Sequence, residues 1–215
     1  ATNIYSTLAS TTNLVAANAT TTNLAVTGTA TTTFGGGIQL LSGCFRDASA
    51  TSTCIGKGQA ATYVVAASNS KNKQYADYLA DGTGDQVEIN AAIQAAYATS
   101  RGAGGKVYLL EGDYSVSGTT TMATSTMLVG SGPGTILKIP NANNGNFSVI
   151  YFRGSATRAI SGITVSDLTI DGNEDNQSSG ERTGVYGVYA ASSTVKNLAI
   201  QNTSGTGVSF DYPRH

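Results

Sequence analysis

The chain has 215 residues, of which 12% are charged, and a formal net charge of −1. This near-neutral balance excludes a basic face for nucleic acid or for an anionic membrane surface. No window approaches the roughly 20 apolar residues that a membrane-spanning helix needs. The 26 glycines, together with abundant Thr and Ser, favour short strands and tight turns over a helical bundle.

Residues 1–37 form a Thr- and Ala-rich zone in which Thr-Asn-Ile/Leu recurs every ten residues, beginning at Thr2, Thr12 and Thr22. So few apolar residues cannot close a core within one chain. One interpretation is a disordered linker. The regular recurrence of the apolar residues favours the other, an extended stalk shared by several chains, which resembles the shafts of trimeric phage fibres and bacterial surface adhesins. The zone therefore predicts a homotrimer or another fibre assembly.

Residues 38–70 are predicted to be a connecting module that contains both cysteines. Nine residues separate Cys44 from Cys54, and no His or further Cys lies between them, which argues against a zinc site. Two free thiols are the alternative to a local disulfide, and the short spacing favours the disulfide. Such a bridge would stabilise the fold by roughly 2–3 kcal/mol and would indicate an oxidising compartment.

A helix is predicted over residues 85–99. Asp85 is placed to act as the N-cap, and Glu88 completes the spacing of a capping box. Arg101 and Gly102 follow as stop signals. The residues that recur at helical spacing make one apolar face: Ile89, Ala92, Ile93, Ala96 and Tyr97.

Strands dominate after residue 104, with candidates at Lys106–Leu110, Thr126–Val129, Thr135–Ile139 and Ser148–Phe152. Residues 164–170 align with 194–200 at an offset of 30, and residues 183–186 align with 206–209 at an offset of 23. Stacked coils with corner loops of variable length produce such uneven spacing. The insertion falls at residues 173–182, the most polar run in the chain.

The order of helix, β-branched strands and Gly-rich corners through 84–94, 104–114 and 128–137 resembles the right-handed parallel β-helix of the pectate-lyase-like superfamily. The resemblance covers about residues 75–215. It implies an all-β fold: a right-handed parallel β-helix over residues 71–215, with an N-terminal capping α-helix, preceded by the Thr-rich stalk. Because residues 210–215 read as part of a strand and corner, we expect the β-helix to continue beyond His215.

The resemblance implies a fibre or tailspike-like protein that recognises polysaccharide and is extracellular, on a cell surface or on a virion. The superfamily includes polysaccharide lyases, hydrolases, epimerases and phage tailspikes. Depolymerisation or epimerisation therefore stands beside a non-catalytic structural filament or trimeric adhesin as the alternative. Fold analogy alone does not decide between an enzyme and a binding protein.

Three residues are candidates for catalysis. β-Elimination needs a base and a stabilising cation, and hydrolysis needs two carboxylates. Asp171 follows the strand at 168–170, although an Asp-Gly-Asn corner also forms as an ordinary turn. Asp211 and His215 belong to a run that resembles the Asp-Pro-His catalytic segment of alginate C5-epimerases, with Tyr212 and Arg214 inserted. The alternative for this run is an ordinary strand end.

Candidate carbohydrate-binding residues are Asp175 and Arg182 in the polar insertion, and Tyr186 and Tyr189 in the next strand. The alternatives are solvated turn residues and aromatic rings stacked in the core. Calcium is a candidate cofactor for the acidic turn that contains Asp171, Glu174 and Asp175, which is not an EF-hand loop; no other metal site is predicted. Arg153 and Arg158 are further candidates for contacts with a carboxylate or sulfate.

Overall fold

A computed structural model describes residues 45–46, 54–55, 62–100 and 102–213. The predicted stalk at 1–37, Cys44 and His215 lie outside the described residues, so the shared stalk and the disulfide stay predictions. The chain divides into two compact units, residues 1–56 and 57–215. In the first unit, β1 (Phe45–Arg46) pairs with β2 (Cys54–Ile55) as antiparallel strands.

The second unit contains one α-helix and a series of short strands. In chain order these are β3 (Tyr63–Ala66), β4 (Tyr78–Leu79), α1 (Gln86–Thr99), β5 (Gly105–Leu109), β6 (Gly112–Ser115), β7 (Thr120–Thr121), β8 (Thr126–Gly130), β9 (Thr135–Lys138), β10 (Phe147–Arg153), β11 (Ile160–Ser161), β12 (Thr164–Asp171), β13 (Arg182–Val188), β14 (Ala190–Ala191), β15 (Thr194–Gln201) and β16 (Val208–Asp211). β3 lies within residues 38–70, which the sequence predicts to be a separate connecting module, but it pairs with β5 and so belongs to the large sheet.

The strands of this unit pair in parallel and form three sheets. The large sheet has the order β4-β3-β5-β8-β12-β9-β6, and β15 also pairs with β12. The four-stranded sheet has the order β16-β13-β10-β7, and β11 pairs with β14. Since each sheet takes one strand or part of a strand from successive turns of the chain, the unit is a parallel β-helix, as the sequence predicts.

The predicted stacking of the coils is confirmed by the strand register. Val165 lies opposite Val195, and Ile170 lies opposite Ile200, at the offset of 30 read from the repeat. Val185 lies opposite Val208 at the predicted offset of 23. The side chains at these positions therefore form inward-facing columns that run from coil to coil.

Replacing Ile170 with Ala tests this column. Ile170 is fully buried, so we expect the variant to lose about 2–5 kcal/mol of the free energy of unfolding, measured by denaturant titration. Leu198, which is only half-buried in the last described coil, provides the matched control, and Leu198→Ala is expected to cost less. A loss at Ile170 below about 0.5 kcal/mol would show that the column is not tightly packed.

Helix α1 covers the inward-facing side chains of the first coils. The predicted helix is confirmed, and Ile89, Ala92, Ile93 and Ala96 are fully buried. The helix packs against β3, β5 and β7. Because the first coil of a solenoid otherwise exposes its apolar interior, this helix serves as the cap that the sequence predicts.

The predicted capping box is wrong. Asp85 makes no side-chain cap hydrogen bond to the helix. Its carboxylate is fully buried and accepts the backbone N–H groups of Gly82 and Ser115, each at 2.7 Å. Asp85 therefore ties the start of the helix to β6 instead of capping the helix itself.

Candidate functional site

The outward surface of the four-stranded sheet presents a strip of polar and aromatic side chains. In β10, Ile150 and Phe152 are fully buried, so the alternation of a strand turns Tyr151 and Arg153 outward. Tyr186 lies opposite Tyr151 in β13. Asp211 ends β16 on the same sheet. We call Tyr151, Arg153, Tyr186 and Asp211 the tyrosine face.

A hydrogen bond joins Tyr186 to Asp211. The tyrosine hydroxyl donates to the Asp211 carboxylate at 2.5 Å. This hydrogen bond is the largest cause of a raised pKa for Tyr186, and desolvation and the charge of Asp211 act in the same direction. The pair thus couples a protonated phenol to a carboxylate, which are the partners of general acid and general base chemistry.

Arg153 extends this strip along β10. A hydrogen bond with Tyr151 raises the pKa of the Arg153 guanidinium, and the rings of Tyr151 and Tyr186 lie 5.7 Å apart. The tyrosine face therefore places a cation, two phenols and a carboxylate on three neighbouring coils. A linear polymer that lies across the coils would meet all of these groups.

Gly187 allows the sheet behind this face to pack closely. It lies between Phe152 and Phe210 in the register of the sheet, and a Cβ atom there would come within 2.6 Å of the Phe152 ring. The two phenylalanine rings meet edge to face at 5.8 Å. A side chain at Gly187 would push these rings apart and displace Tyr186 beside it.

A cleft of about 200 Å³ adjoins the tyrosine face. Arg153 and Arg158 both line it, and neither forms an ion pair with a carboxylate among the described residues. The planar guanidinium group can pair with both oxygens of a carboxylate. The cleft therefore suits an anionic group. Its complete lining is Tyr97, Thr124, Arg153, Gly154, Arg158, Ala159 and Ile160.

Two further tyrosines stack at the corner that follows the four-stranded sheet. Tyr189 and Tyr212 both adopt a left-handed backbone conformation. Their rings lie 4.9 Å apart at an interplanar angle of 18°, and Tyr212 is 66% exposed. They provide an aromatic surface on which the apolar face of a sugar ring can pack.

The structure does not bring Asp171 together with Asp211, because the two residues end strands of different sheets. Asp171 is 8% exposed. One of its carboxylate oxygens accepts hydrogen bonds from the Asn173 backbone and the Asn202 side chain, and the other lies 3.6 Å from Lys138 Nζ. These contacts indicate that Asp171 stabilises the corner between neighbouring coils.

Arg182 and Asp175, which the sequence predicts to contact saccharide, lie in different surroundings. Arg182 is 1% exposed, and its guanidinium donates to the backbone carbonyls of Asn143 and Ser179 at 3.0 and 2.8 Å. It therefore joins two corner loops from inside. Asp175 is exposed in the 3₁₀ turn Glu174–Asn176. Of the predicted residues, the structure brings together Tyr186 and Asp211.

Tyr151 is not among the site residues predicted from the sequence, although the sequence contains a signal for it. It occupies the same place in Val-Ile-Tyr-Phe-Arg that Tyr186 occupies in Gly-Val-Tyr-Gly-Val. The two segments lie 35 residues apart, because the long polar loop at 173–181 separates their coils. An alignment that allowed for this insertion would have placed the two tyrosines side by side.

In the part of the chain that the structure describes, no group of three or more His, Cys, Asp or Glu side chains is arranged to hold a metal ion. No helix there is both long and apolar enough to cross a membrane. The carboxylates of the turn at 171–175 therefore do not form such a group.

The hydrogen bond between Tyr186 and Asp211 predicts that removal of the Asp211 carboxylate changes the pKa of Tyr186. In Asp211→Ala the pKa of Tyr186 is expected to fall toward its ordinary value of 10.0, because the hydrogen bond that is the main cause of the upward shift is lost. Since the folded-state pKa is raised, the pair stabilises the fold below the ordinary pKa, and this stabilisation disappears as pH rises through the raised value. NMR of ring-labelled tyrosine measures the shift, with Tyr186→Phe assigning the signal. An unchanged midpoint would contradict the pairing.

Comparison with known proteins finds several that are similar in sequence to this chain. No family model matches the chain. An alignment of 145 positions, which covers 60% of this chain, is 34% identical to Mannuronan C5-epimerase AlgE5 of Azotobacter vinelandii. An alignment of 124 positions, which covers 53% of this chain, is 36% identical to Alginate lyase 7 of the same organism. The chain spans 14% of the length of each of these proteins.

The fold has a counterpart among solved structures. The A-module of Mannuronan C-5 epimerase AlgE4 from Azotobacter vinelandii superimposes with a TM-score of 0.52 and 27% sequence identity. The match covers 61% of this chain and 39% of that module. The chain therefore has the right-handed parallel β-helix fold of the pectate-lyase-like type that its sequence predicts.

Proposed function

We propose that the tyrosine face binds a uronate-containing polysaccharide and removes a proton from one of its sugar units. The observation that carries this proposal is the hydrogen-bonded pair of Tyr186 and Asp211 on the same outward strip as Arg153. The names of the relatives support the substrate class, since they specify mannuronan and alginate. Because this chain spans a small part of those proteins, the activity is our proposal.

The two named activities, C5 epimerisation and elimination by a lyase, share a first step. A base removes the hydrogen at C5, next to the sugar carboxylate, and negative charge develops on that carboxylate. We assign the base to Asp211 and the stabilising cation to Arg153. The raised pKa of Tyr186 keeps its phenol protonated, so it can donate a proton after abstraction. In elimination that proton goes to the leaving oxygen at C4 as the C4–O bond breaks, and in epimerisation a proton is returned to C5 from the opposite face of the sugar ring.

The surroundings of the tyrosine face support the binding of a polymer. Neighbouring coils lie roughly 4.8 Å apart, so a saccharide chain that crosses several coils contacts the same outward positions repeatedly. Arg158 would pair with the carboxylate of an adjacent uronate, and the rings of Tyr189 and Tyr212 would pack on a sugar face. His215, four residues beyond Asp211 in the sequence, remains a candidate for a second acid–base group.

The location and assembly of the protein belong to the same proposal. We place the protein outside the cell or on a virion, as a tailspike-like or other fibre whose stalk at 1–37 assembles as a trimer. The repeat at Thr2, Thr12 and Thr22 supports this assembly. A non-catalytic adhesin or structural filament is the alternative, and it requires the binding surface without proton transfer.

Incubation of the protein with mannuronan in D₂O tests the function. We expect deuterium to enter C5, observed by ¹H NMR, and affinity electrophoresis to show retardation in mannuronan but not in a neutral dextran. Ultraviolet absorbance from an unsaturated sugar end distinguishes elimination from epimerisation. Binding without exchange or cleavage would favour the adhesin. If the protein neither binds nor turns over mannuronan, the proposal that the tyrosine face binds this polysaccharide is contradicted.

A further inference from the structure

A second cleft, of about 270 Å³, lies on the large sheet. The turn at 68–69 and the loop before α1 border it on one side, and the ends of β6 and β9 border it on the other. None of the residues that line it belongs to the tyrosine face. Its polar lining residues are Ser68, Asn69, Asp113, Ser115, Lys138 and Asn141.

The polar groups of this cleft are held in place before any ligand binds. Asn69 and Asp113 form a reciprocal pair, in which Asn69 Nδ2 donates to the Asp113 carboxylate at 3.0 Å and Asn69 Oδ1 accepts the Asp113 backbone N–H at 2.9 Å. Asn141 Oδ1 accepts from the buried Asn173 side chain at 2.8 Å. This contact orients the Asn141 amide so that its nitrogen remains a donor. Such preorganisation lowers the entropic cost of binding.

Both donors and acceptors are left for a ligand. The hydroxyl groups of Ser68 and Ser115 and the second carboxylate oxygen of Asp113 have no hydrogen-bond partner among the described residues. Each hydroxyl can donate and accept. Pro140 adds a partly exposed apolar surface beside them. A sugar ring presents the complementary combination, with hydroxyl groups at its edge and C–H groups on its face.

The charges of the cleft select against an acidic sugar. Lys138, the one cation in its lining, lies 3.6 Å from Asp171. Asp113 forms no ion pair with a described cation. A ligand carboxylate would therefore meet the Asp113 charge without a free cation to balance it. This balance is the opposite of that in the cleft lined by Arg153 and Arg158.

We infer that the cleft on the large sheet binds one neutral pyranose unit, at a site separate from the tyrosine face. Its volume lies just below the range of about 300–1,000 Å³ that is usual for drug-sized ligands, so it has room for a single ring. The protein would then hold a neutral sugar on one sheet while the other sheet contacts the uronate polymer. This inference does not depend on the activity proposed for Tyr186 and Asp211.

Saturation-transfer NMR with methyl α-D-mannopyranoside tests the inference. Wild type and a tyrosine-face variant, Arg153→Ala/Tyr186→Phe, are both expected to transfer saturation to this probe. Ser68→Trp places a large ring at the rim of the cleft and is expected to abolish the transfer. Ser178→Trp, on an exposed turn outside the lining of the cleft, is the matched control and should retain it. Circular dichroism verifies that each variant is folded.

The inference is overturned by no transfer from wild type, by retained transfer in folded Ser68→Trp, or by loss of transfer in the folded tyrosine-face variant. The uronic acid counterpart of the probe is expected to give a weaker signal, and a stronger one would overturn the neutral sugar class. Deuterium exchange into mannuronan is measured on the same variants. Ser68→Trp should leave that exchange unchanged. Failure of the inferred sugar site and failure of the proposed function can therefore be told apart.

Discussion

Asp211→Asn is expected to lower the turnover of mannuronan by roughly 10²–10⁴-fold, the usual contribution of a positioned general base. The amide retains the size of the side chain and can still accept the Tyr186 hydrogen bond, but it cannot take up the C5 proton. Deuterium incorporation at C5 and the unsaturated sugar product provide the measurement. Retardation in mannuronan gels should change little, because Arg153 and Arg158 are still present.

The control for this variant is Asp175→Asn. Asp175 is an exposed carboxylate in the turn before β13, so its neutralisation changes the net charge equally without removing the Tyr186–Asp211 pair. We expect turnover to stay within about 2-fold of wild type, which at roughly 0.4 kcal/mol is within the range of surface substitutions. Equal losses in both variants would assign the effect to overall charge. Full activity in Asp211→Asn would place the base elsewhere.

Asp85→Ala is expected to cause the largest loss of stability. The buried carboxylate accepts two backbone N–H groups, from Gly82 and Ser115. Hydrogen bonds to a charged group are worth about 1.5–3 kcal/mol each, so leaving both donors without a partner is expected to cost about 3–6 kcal/mol. Denaturant titration at a constant slope measures the change in the free energy of unfolding.

A matched carboxylate lies four residues earlier in the chain. Asp81 is exposed and accepts a hydrogen bond from Thr83 N at 2.8 Å, so Asp81→Ala should cost about 0.5–1.5 kcal/mol. If Asp85→Ala and Asp81→Ala cost the same, the link between the helix and β6 does not contribute in the way described. Because α1 covers the first coils, loss of this link is expected to loosen the cap before the later coils.

The position of Asp85 shows why local pattern is an incomplete guide. A helix start with Asp followed three residues later by Glu predicts a capping box. The same side chain satisfies Ser115 N instead, 30 residues away in the sequence. A backbone donor that folding buries at the end of β6 needs an acceptor, and only the packed coils place that donor beside Asp85.

The sequence by itself determined the helix at 85–99, the stacking of Val165 on Val195 and of Ile170 on Ile200, and the class of fold. These features follow from short-range periodicity and from a repeat, because each coil must offer the same inward positions to the next. The tertiary structure decided which polar residues meet. Tyr151, Tyr186 and Asp211 come together only because loops of unequal length still return the chain to the same sheet. Arg182 is buried for the same reason, since the corner loops of neighbouring coils close over it.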